Sequence, residues 1–308
     1  MTTPEASATI VLDGGLATEL EARGHDLSDS LWSARLLLTD PAAIEEIHMA
    51  YFRAGARVAT TASYQATVPG FAAAGLDRST AVDAIRQSVE IAVRARDRYA
   101  AESGVDRSSL LVAGSVGPYG AMLADGSEYR GDYDPGPAAL RDVHAPRIEA
   151  LIDAGADLLA LETIPTIREA EVLVALVRET GARAWLSYQC RDDESTAAGE
   201  PIVEAVALAG DESGIVAVGV NCTAPHLVPS LLVAAASATD RPLIAYPNRG
   251  DRWDPAGRRW VPSKAGREFD APTVASWTGL GATWLGGCCN VGPADIAELA
   301  RSVRGEPD

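Results

Sequence analysis

The sequence predicts an α/β protein, a single (β/α)8 barrel of the TIM type over residues 1–308, and three observations carry that expectation. β-branched or apolar runs alternate with helical periodicity eight times. Strict alternation of this kind implies a parallel sheet covered by helices, and eight strands close a barrel. Several runs are continuously apolar rather than alternating, as strands buried on both faces are. The 308 residues are 47% hydrophobic, and no linker or low-complexity stretch divides them, so one large core can form and bury about three quarters of the unfolded surface.

Taken in order, the candidate strands are residues 9–12, 57–62, 110–114, 157–161, 184–189, 214–220, 242–246 and 283–286. Asp40-Pro41 supplies an N-cap and a first-turn proline for a helix that closes near Gly55. Thr166 caps a helix over 167–179 that Gly181 stops, and Pro293 opens a last helix reaching Arg304. The turn after the first strand, Asp13-Gly14-Gly15-Leu16, lacks the G-x-G-x-x-G spacing of a dinucleotide site, which argues against a doubly wound open sheet. The longest stretch expected to be irregular is about 118–137, rich in Gly, Asp and Tyr, and loops this long within compact domains are usually functional.

Composition narrows the setting. The formal charge of −17 comes from 43 acidic and 26 basic residues, with no basic cluster to serve as a phosphate footprint, so nucleic acid is excluded as a partner. Residues 1–8 hold no basic residue and no apolar core, and no stretch approaches the roughly 18 apolar residues of a spanning helix. The expectation is a cytoplasmic protein with no membrane partner. Oligomeric state is not legible.

Four cysteines in 308 residues are too few for a disulfide framework. Cys222, Cys288 and Cys289 each follow a short β-branched or apolar run, so their thiols can converge at one end of a sheet and hold Zn2+. Three thiolates leave tetrahedral zinc one open position, the arrangement of a reactive site. Cys190 reads as a small buried hydrophobe. The histidines His25, His48, His144 and His226 show no metal-binding spacing. Active sites of such barrels sit where strands end, and the ends here carry Asp13, Ser63-Tyr64, Ser115, Glu162, Gln189, Asn221-Cys222, Pro247-Asn248 and Cys288-Cys289.

Those residues also carry a resemblance. Asp13-Gly14-Gly15-Leu16-Ala17-Thr18-Glu19-Leu20, Gly114 to Ala121, Leu123 to Tyr133, Glu162-Thr163-Ile164-Pro165, Asn221-Cys222 and Gly286-Gly287-Cys288-Cys289 closely resemble homocysteine S-methyltransferases. The likeness is to the branch using S-methylmethionine or S-adenosylmethionine, and it runs from about Ile10 to Ala300. It implies zinc ligation by Cys222, Cys288 and Cys289. Glu162 with the backbone at Asp13 would hold the amino group of L-homocysteine, and backbone amides around Gly14 and Gly15 its carboxylate. Tyr64, Ser115 and Asn248 are further substrate-binding candidates, and Tyr64, Tyr119, Tyr129, Trp32 and Trp253 are candidates for an aromatic cage around a sulfonium donor. The loop from Tyr246 to Asp254 departs from the family pattern at Arg249 and Gly250-Asp251, where Ser and then Gly-Glu are usual, leaving the role of Arg249 open. The alternatives are a betaine-type or selenol-acceptor methyltransferase of the same superfamily, a zinc hydrolase, and a non-enzymatic zinc or thiol-binding barrel. An all-thiolate set argues against the hydrolase, which needs an ion able to acidify water.

Overall fold

Eight parallel strands form the sheet predicted from the alternation: β1 (Ile10–Val11), β2 (Val58–Thr60), β3 (Leu111–Val116), β4 (Leu158–Ile164), β5 (Ala184–Tyr188), β6 (Ile215–Asn221), β7 (Leu243–Tyr246) and, after a short antiparallel hairpin of β8 (Arg252–Asp254) and β9 (Arg259–Val261), β10 (Ala282–Leu285). The computed structural model describes residues 9–27, 31–210, 212–250, 252–254, 259–261 and 269–306. Hydrogen-bonded neighbours run β1-β10-β7-β6-β5-β4-β3-β2. The ring closes through a parallel bridge between Leu12 and Val58 and the Arg57 amide on the Val11 carbonyl at 2.7 Å. The result is a (β/α)8 barrel. The hairpin was not foreseen.

Side-chain parity divides the core in two. Leu12, Val58, Ala113, Leu158, Ala160, Trp185, Ala217, Ile244, Tyr246 and Trp284 pack inside the barrel. Their strand neighbours Val112, Leu159, Leu161, Leu186, Val218, Leu243 and Ala245 pack against the helices. Burial on both faces is why these strands read as apolar runs. Inside, Trp185 lies 6.0 Å from Trp284 and 6.1 Å, edge-on, from Tyr246. The small Ala113, Ala160 and Ala217 leave room for these rings, as the layered filling of such barrels requires.

The helix signals hold. Pro41–Arg53 is capped by Asp40, which accepts from the Ala43 amide at 3.2 Å; Ile167–Thr180 is capped by Thr166 on the Glu169 amide at 3.2 Å and stopped by Gly181 at φ +67. Pro293–Arg304 ends at Gly305, also left-handed. Residues 118–137 are more ordered than expected, forming a helix over Tyr119–Leu123 and a 3-10 turn over Ser127–Tyr129. Gly120 makes this possible: a Cβ there would lie 2.6 Å from the Glu128 nitrogen, so only glycine lets the two segments touch. Among the described residues no helix is long and apolar enough to cross a membrane.

Candidate active site

Continuing the inward parity past the apolar layers brings Thr60, Ser115, Glu162, Ser187, Asn221 and Tyr246 to the carboxyl end of the barrel. A cleft opens there, with about 770 Å³ of empty space when the adjoining open solvent is included. It is lined by the turn from Leu12 to Thr18, by Thr60, Tyr64, Ser115, Tyr129, Glu162 and Tyr246, and by Cys222, Cys288 and Cys289.

The three cysteines do converge. Their sulfurs lie within 4.8 Å of one another, with Cys222 and Cys289 at 3.5 Å, while Cys190 is buried apart from the group. The backbone is forced at these points. Cys222 has φ +49, Asn290 φ +64 and Thr163 φ +61, a region that non-glycine residues occupy only when surroundings hold them there. Here the Cys222 amide donates to Tyr246 O at 3.1 Å and the Cys288 amide to Pro247 O at 2.8 Å. The Asn221 side chain accepts from the Thr163 amide (2.7 Å) and the Ser187 hydroxyl (2.8 Å), and donates to Thr163 Oγ1 (2.8 Å). Glycine before the cysteine pair is a packing requirement: a Cβ at Gly286 would lie 2.5 Å from Leu12 Cβ, and one at Gly287 would lie 2.1 Å from Val291 Cγ1. Three such close thiols cannot all ionise without a cation. Hydrogen bonds from Cys222, Cys288 and Tyr129 hold Cys289 well below the usual thiol range, and contacts with Cys222 and Cys289 push Cys288 well above it. A soft divalent metal resolves that conflict, because it stabilises all three thiolates together.

Glu162, 8% exposed, is the carboxylate beside the sulfurs. Ser115 Oγ hydrogen-bonds one of its oxygens and Tyr246 donates to the other at 3.2 Å. Tyr246 is itself fixed by Trp185 Nε1 (2.9 Å) and Ser187 Oγ (2.6 Å). Burial pushes the Glu162 carboxyl up to about 7, so a cation binding there would restore its charge. Asp13 is committed on both sides: its carboxylate accepts from Thr60 N (2.6 Å) and Oγ1 (2.8 Å), and its carbonyl from the Gly287 amide (3.0 Å). Gly14 and Gly15 lie flush against the cysteine turn, since Cβ atoms would come within 2.4 Å of Val291 O and 2.6 Å of Cys288 O. The Gly15 amide already donates to Val291 O at 2.9 Å. The next amides, of the first turn of the helix Leu16–Ala22, have no intrahelical partner, and Leu16, Ala17 and Thr18 line the cavity.

Across the mouth stand Tyr64 and Tyr129. Tyr119 packs on Tyr133 with ring centroids 5.5 Å apart rather than lining the cavity. Trp32 and Trp253 have side chains outside the described residues. Asn248 is also not among the lining residues; its amide reaches the Cys222 carbonyl at 3.4 Å and its oxygen takes the Gly250 amide at 2.9 Å. Arg249 points to Asp295 at 3.7 Å, on the last helix.

Behind this wall runs a chain of buried polar groups missed by the sequence reading. Glu169 accepts from the Tyr119 amide (2.6 Å), Tyr133 Oη (2.6 Å) and His144 Nε2 (2.7 Å). Arg147, fully buried, donates to His144 Nδ1 (2.7 Å), Tyr64 O (2.9 Å) and Gly117 O (2.5 Å). Arginine has nothing to accept with, so Nδ1 is the acceptor and Nε2 carries the proton. Burial lowers the His144 pKa and brings Arg147 down to about 10, still charged at neutral pH. The only trace in sequence is a His and an Arg three apart on one helix, which is a common surface pattern.

The family model described as homocysteine S-methyltransferase matches residues 10–303. The chain belongs to the homocysteine S-methyltransferase family. Homocysteine S-methyltransferase of Escherichia coli (strain K12) is 49% identical over 295 residues, covering 95% of each chain, and homocysteine S-methyltransferase YbgG of Bacillus subtilis (strain 168) is 43% identical, covering 96% of this chain and 94% of its own. The metallated form of the Escherichia coli homocysteine methyltransferase MmuM superposes with a TM-score of 0.86 at 47% identity, covering 95% of this chain and 96% of that one. In this homocysteine S-methyltransferase family member the three cysteines gather at the barrel mouth, the convergence expected from the sequence, and their cluster together with the metallated form of a relative suggests a metal there.

Proposed function

We propose that this enzyme transfers a methyl group from S-methylmethionine or S-adenosylmethionine to L-homocysteine, forming methionine, with zinc as its metal. The observation that carries the reading is the cluster of Cys222, Cys288 and Cys289 sulfurs within 4.8 Å, open to a cavity that also holds buried Glu162. Zn–S bonds of about 2.3 Å put tetrahedral sulfurs about 3.8 Å apart, which the cluster accommodates. When bound, zinc would keep the substrate sulfur deprotonated at neutral pH, where a free thiol is only a few per cent ionised.

The chain's own residues supply the rest. Glu162, aimed by Ser115 and Tyr246, takes the substrate ammonium through charge-assisted hydrogen bonds. The Asp13 to Thr18 turn offers first-turn amides to the carboxylate, with Gly14 and Gly15 allowing the close approach. Tyr64 and Tyr129 present aromatic faces to the donor cation. The homocysteine sulfur lone pair then attacks the donor methyl carbon, the carbon–sulfonium bond breaks, and its electron pair stays on the leaving thioether, so both charges vanish.

The test is a donor panel with reduced, zinc-loaded protein and L-homocysteine. Methionine should form from S-methylmethionine, also from S-adenosylmethionine, and little from betaine. Betaine turnover above both sulfoniums would overturn the donor assignment, and full activity of a zinc-free protein would overturn the metal.

A further inference from the structure

Strands β4 and β6 are not hydrogen-bonded neighbours, because β5 runs between them. Their ends are nonetheless joined over it. β4 carries one extra residue at this point: Leu161 pairs with Leu186 and Ile164 with Tyr188, three steps against two. A bulge of this kind leaves a residue out of the ladder and re-aims side chains. It holds Glu162 and Thr163, and Thr163 sits at φ +61, an outlying conformation for a β-branched residue. Asn221, the last residue of β6 and fully buried, receives it: Oδ1 accepts from the Thr163 amide at 2.7 Å, and Nδ2 donates to Thr163 Oγ1 at 2.8 Å. Oδ1 also takes the Ser187 hydroxyl of β5 at 2.8 Å, and Nδ2 reaches Cys288 Sγ at 3.9 Å. A carboxamide has two acceptor sites and two donor hydrogens, and all four are used. The next residue, Cys222, is left-handed at φ +49. One side chain thus clamps the bulge that presents Glu162 and the turn that presents Cys222, and Glu162, Thr163, Cys222 and Cys288 all line the cleft.

We propose that Asn221 and Thr163 are positioning residues, a clasp across β5 that keeps Glu162, the anchor for the substrate ammonium, in register with the cysteine cluster, the anchor for its sulfur. The inference rests on the reading of these two anchors above and deepens it. A ligand held at both ends gains the full second contact only when the spacing of the anchors is built into the protein rather than ordered on binding. Without the clasp, Thr163 is released from its left-handed conformation, and the bulge no longer fixes Glu162 against the sulfurs. The clasp is not what gathers the sulfurs. Close packing at Gly286 and Gly287 and the amide bonds of Cys222 and Cys288 do that. Asn221 and Thr163 therefore set the preference for an amino thiol over a plain thiol.

The experiment measures zinc content and, by isothermal titration of zinc-loaded protein, the affinities for L-homocysteine and for 4-mercaptobutyrate, the same thiol without its amino group. In Asn221→Ala homocysteine binding should weaken roughly 10- to 100-fold, the loss of a charged contact. Zinc content and 4-mercaptobutyrate affinity should stay within about twofold of wild type. Thr163→Val, nearly isosteric, removes only the hydroxyl that Asn221 grips and carries the test should Asn221→Ala not fold. It should weaken homocysteine alone by roughly 3- to 10-fold, and Thr163→Ser, which keeps the hydroxyl, should restore it. Equal weakening of both thiols, or loss of zinc, would overturn the proposal, because the side chains would then serve the cluster itself. So would unchanged homocysteine binding, or Thr163→Ser as impaired as Thr163→Val. A wild-type enzyme that binds the two thiols equally would instead overturn the reading of Glu162 as the ammonium anchor.

Discussion

Glu162 and Cys222 stand at the ends of β4 and β6, placed by strand register and fastened by groups on other strands of the barrel, whereas Tyr64 and Tyr129 hang on loops whose attachment runs back into the helix layer. On the first side, Ser115, Ser187, Asn221 and Tyr246 form a lattice within the barrel mouth. On the second, Glu169, His144 and Arg147 grip backbone atoms at Tyr64, Gly117 and Tyr119 from behind. The strand-borne half shares the rigidity of the sheet. The loop-borne half is only as firm as a buried charge chain, so a change remote from the cavity should disturb one half and spare the other.

The largest effect is expected at the strand ends. Cys222→Ser, Cys288→Ser or Cys289→Ser should each release most of the metal and abolish methyl transfer while the barrel stays folded, since the core rests on eight strands. Metal content and circular dichroism measured together check this, and a Cys289→Ser protein with full metal and full turnover would remove the site. Next is the chain behind the loops. Glu169→Gln strands the Arg147 charge in the interior, and breaking a buried pair typically costs roughly 3–5 kcal/mol. Chemical denaturation should show that loss, and kinetics should show a raised donor KM with homocysteine affinity nearly intact. Equal weakening of both substrates would break the contrast between the halves.

Glu162→Gln sharpens the same contrast from the other side. It should weaken homocysteine binding by about 1.5–3 kcal/mol, roughly 10- to 150-fold, and leave metal content unchanged; isothermal titration with homocysteine reads both the affinity and any loss of sites. The pH dependence has a definite sign. The folded carboxyl titrates at about 7 against 4.5 in the unfolded chain, so the folded protein holds the extra proton between those values. That contribution is fully present below pH 4.5 and is lost as pH rises through 7, at most about 3 kcal/mol. In metal-free protein the stability of Glu162→Gln relative to wild type should therefore improve between pH 4.5 and 8, and urea midpoints showing the opposite drift would contradict the burial of this group. Smallest of all is Cys190→Ser, which should leave metal and turnover near wild type, as assayed side by side with the site cysteines.

Strand positions were legible because burial on both faces leaves continuous apolar runs, and the cysteines because each follows such a run. Glu162 and Ser115 were legible as polar residues ending them. Tyr246 was not: it reads as the last apolar residue of β7, and only its parity with Ile244 turns its hydroxyl onto Glu162. Residues 118–137 read as irregular because their order comes from contacts distant in sequence, Tyr119 and Tyr133 with Glu169. His144 and Arg147 left only their three-residue spacing on one helix, which is uninformative because a charged residue on a helix is ordinarily solvated and nothing local announces that a loop will cover it.

Asp13 closes the circle of strands in an unusual way. β1 is two residues long and must join both β10 and β2, which makes it the weakest stave of the barrel. The Asp13 carboxylate extends the join by capturing the Thr60 amide, and its carbonyl captures Gly287 on the opposite flank. The turn that would cradle the amino acid begins at the very next residue. Occupancy of the pocket would thus tighten the barrel's hoop, and amide exchange at Arg57, deep in that join, would slow when homocysteine is present: the substrate acts as a wedge driven into the seam.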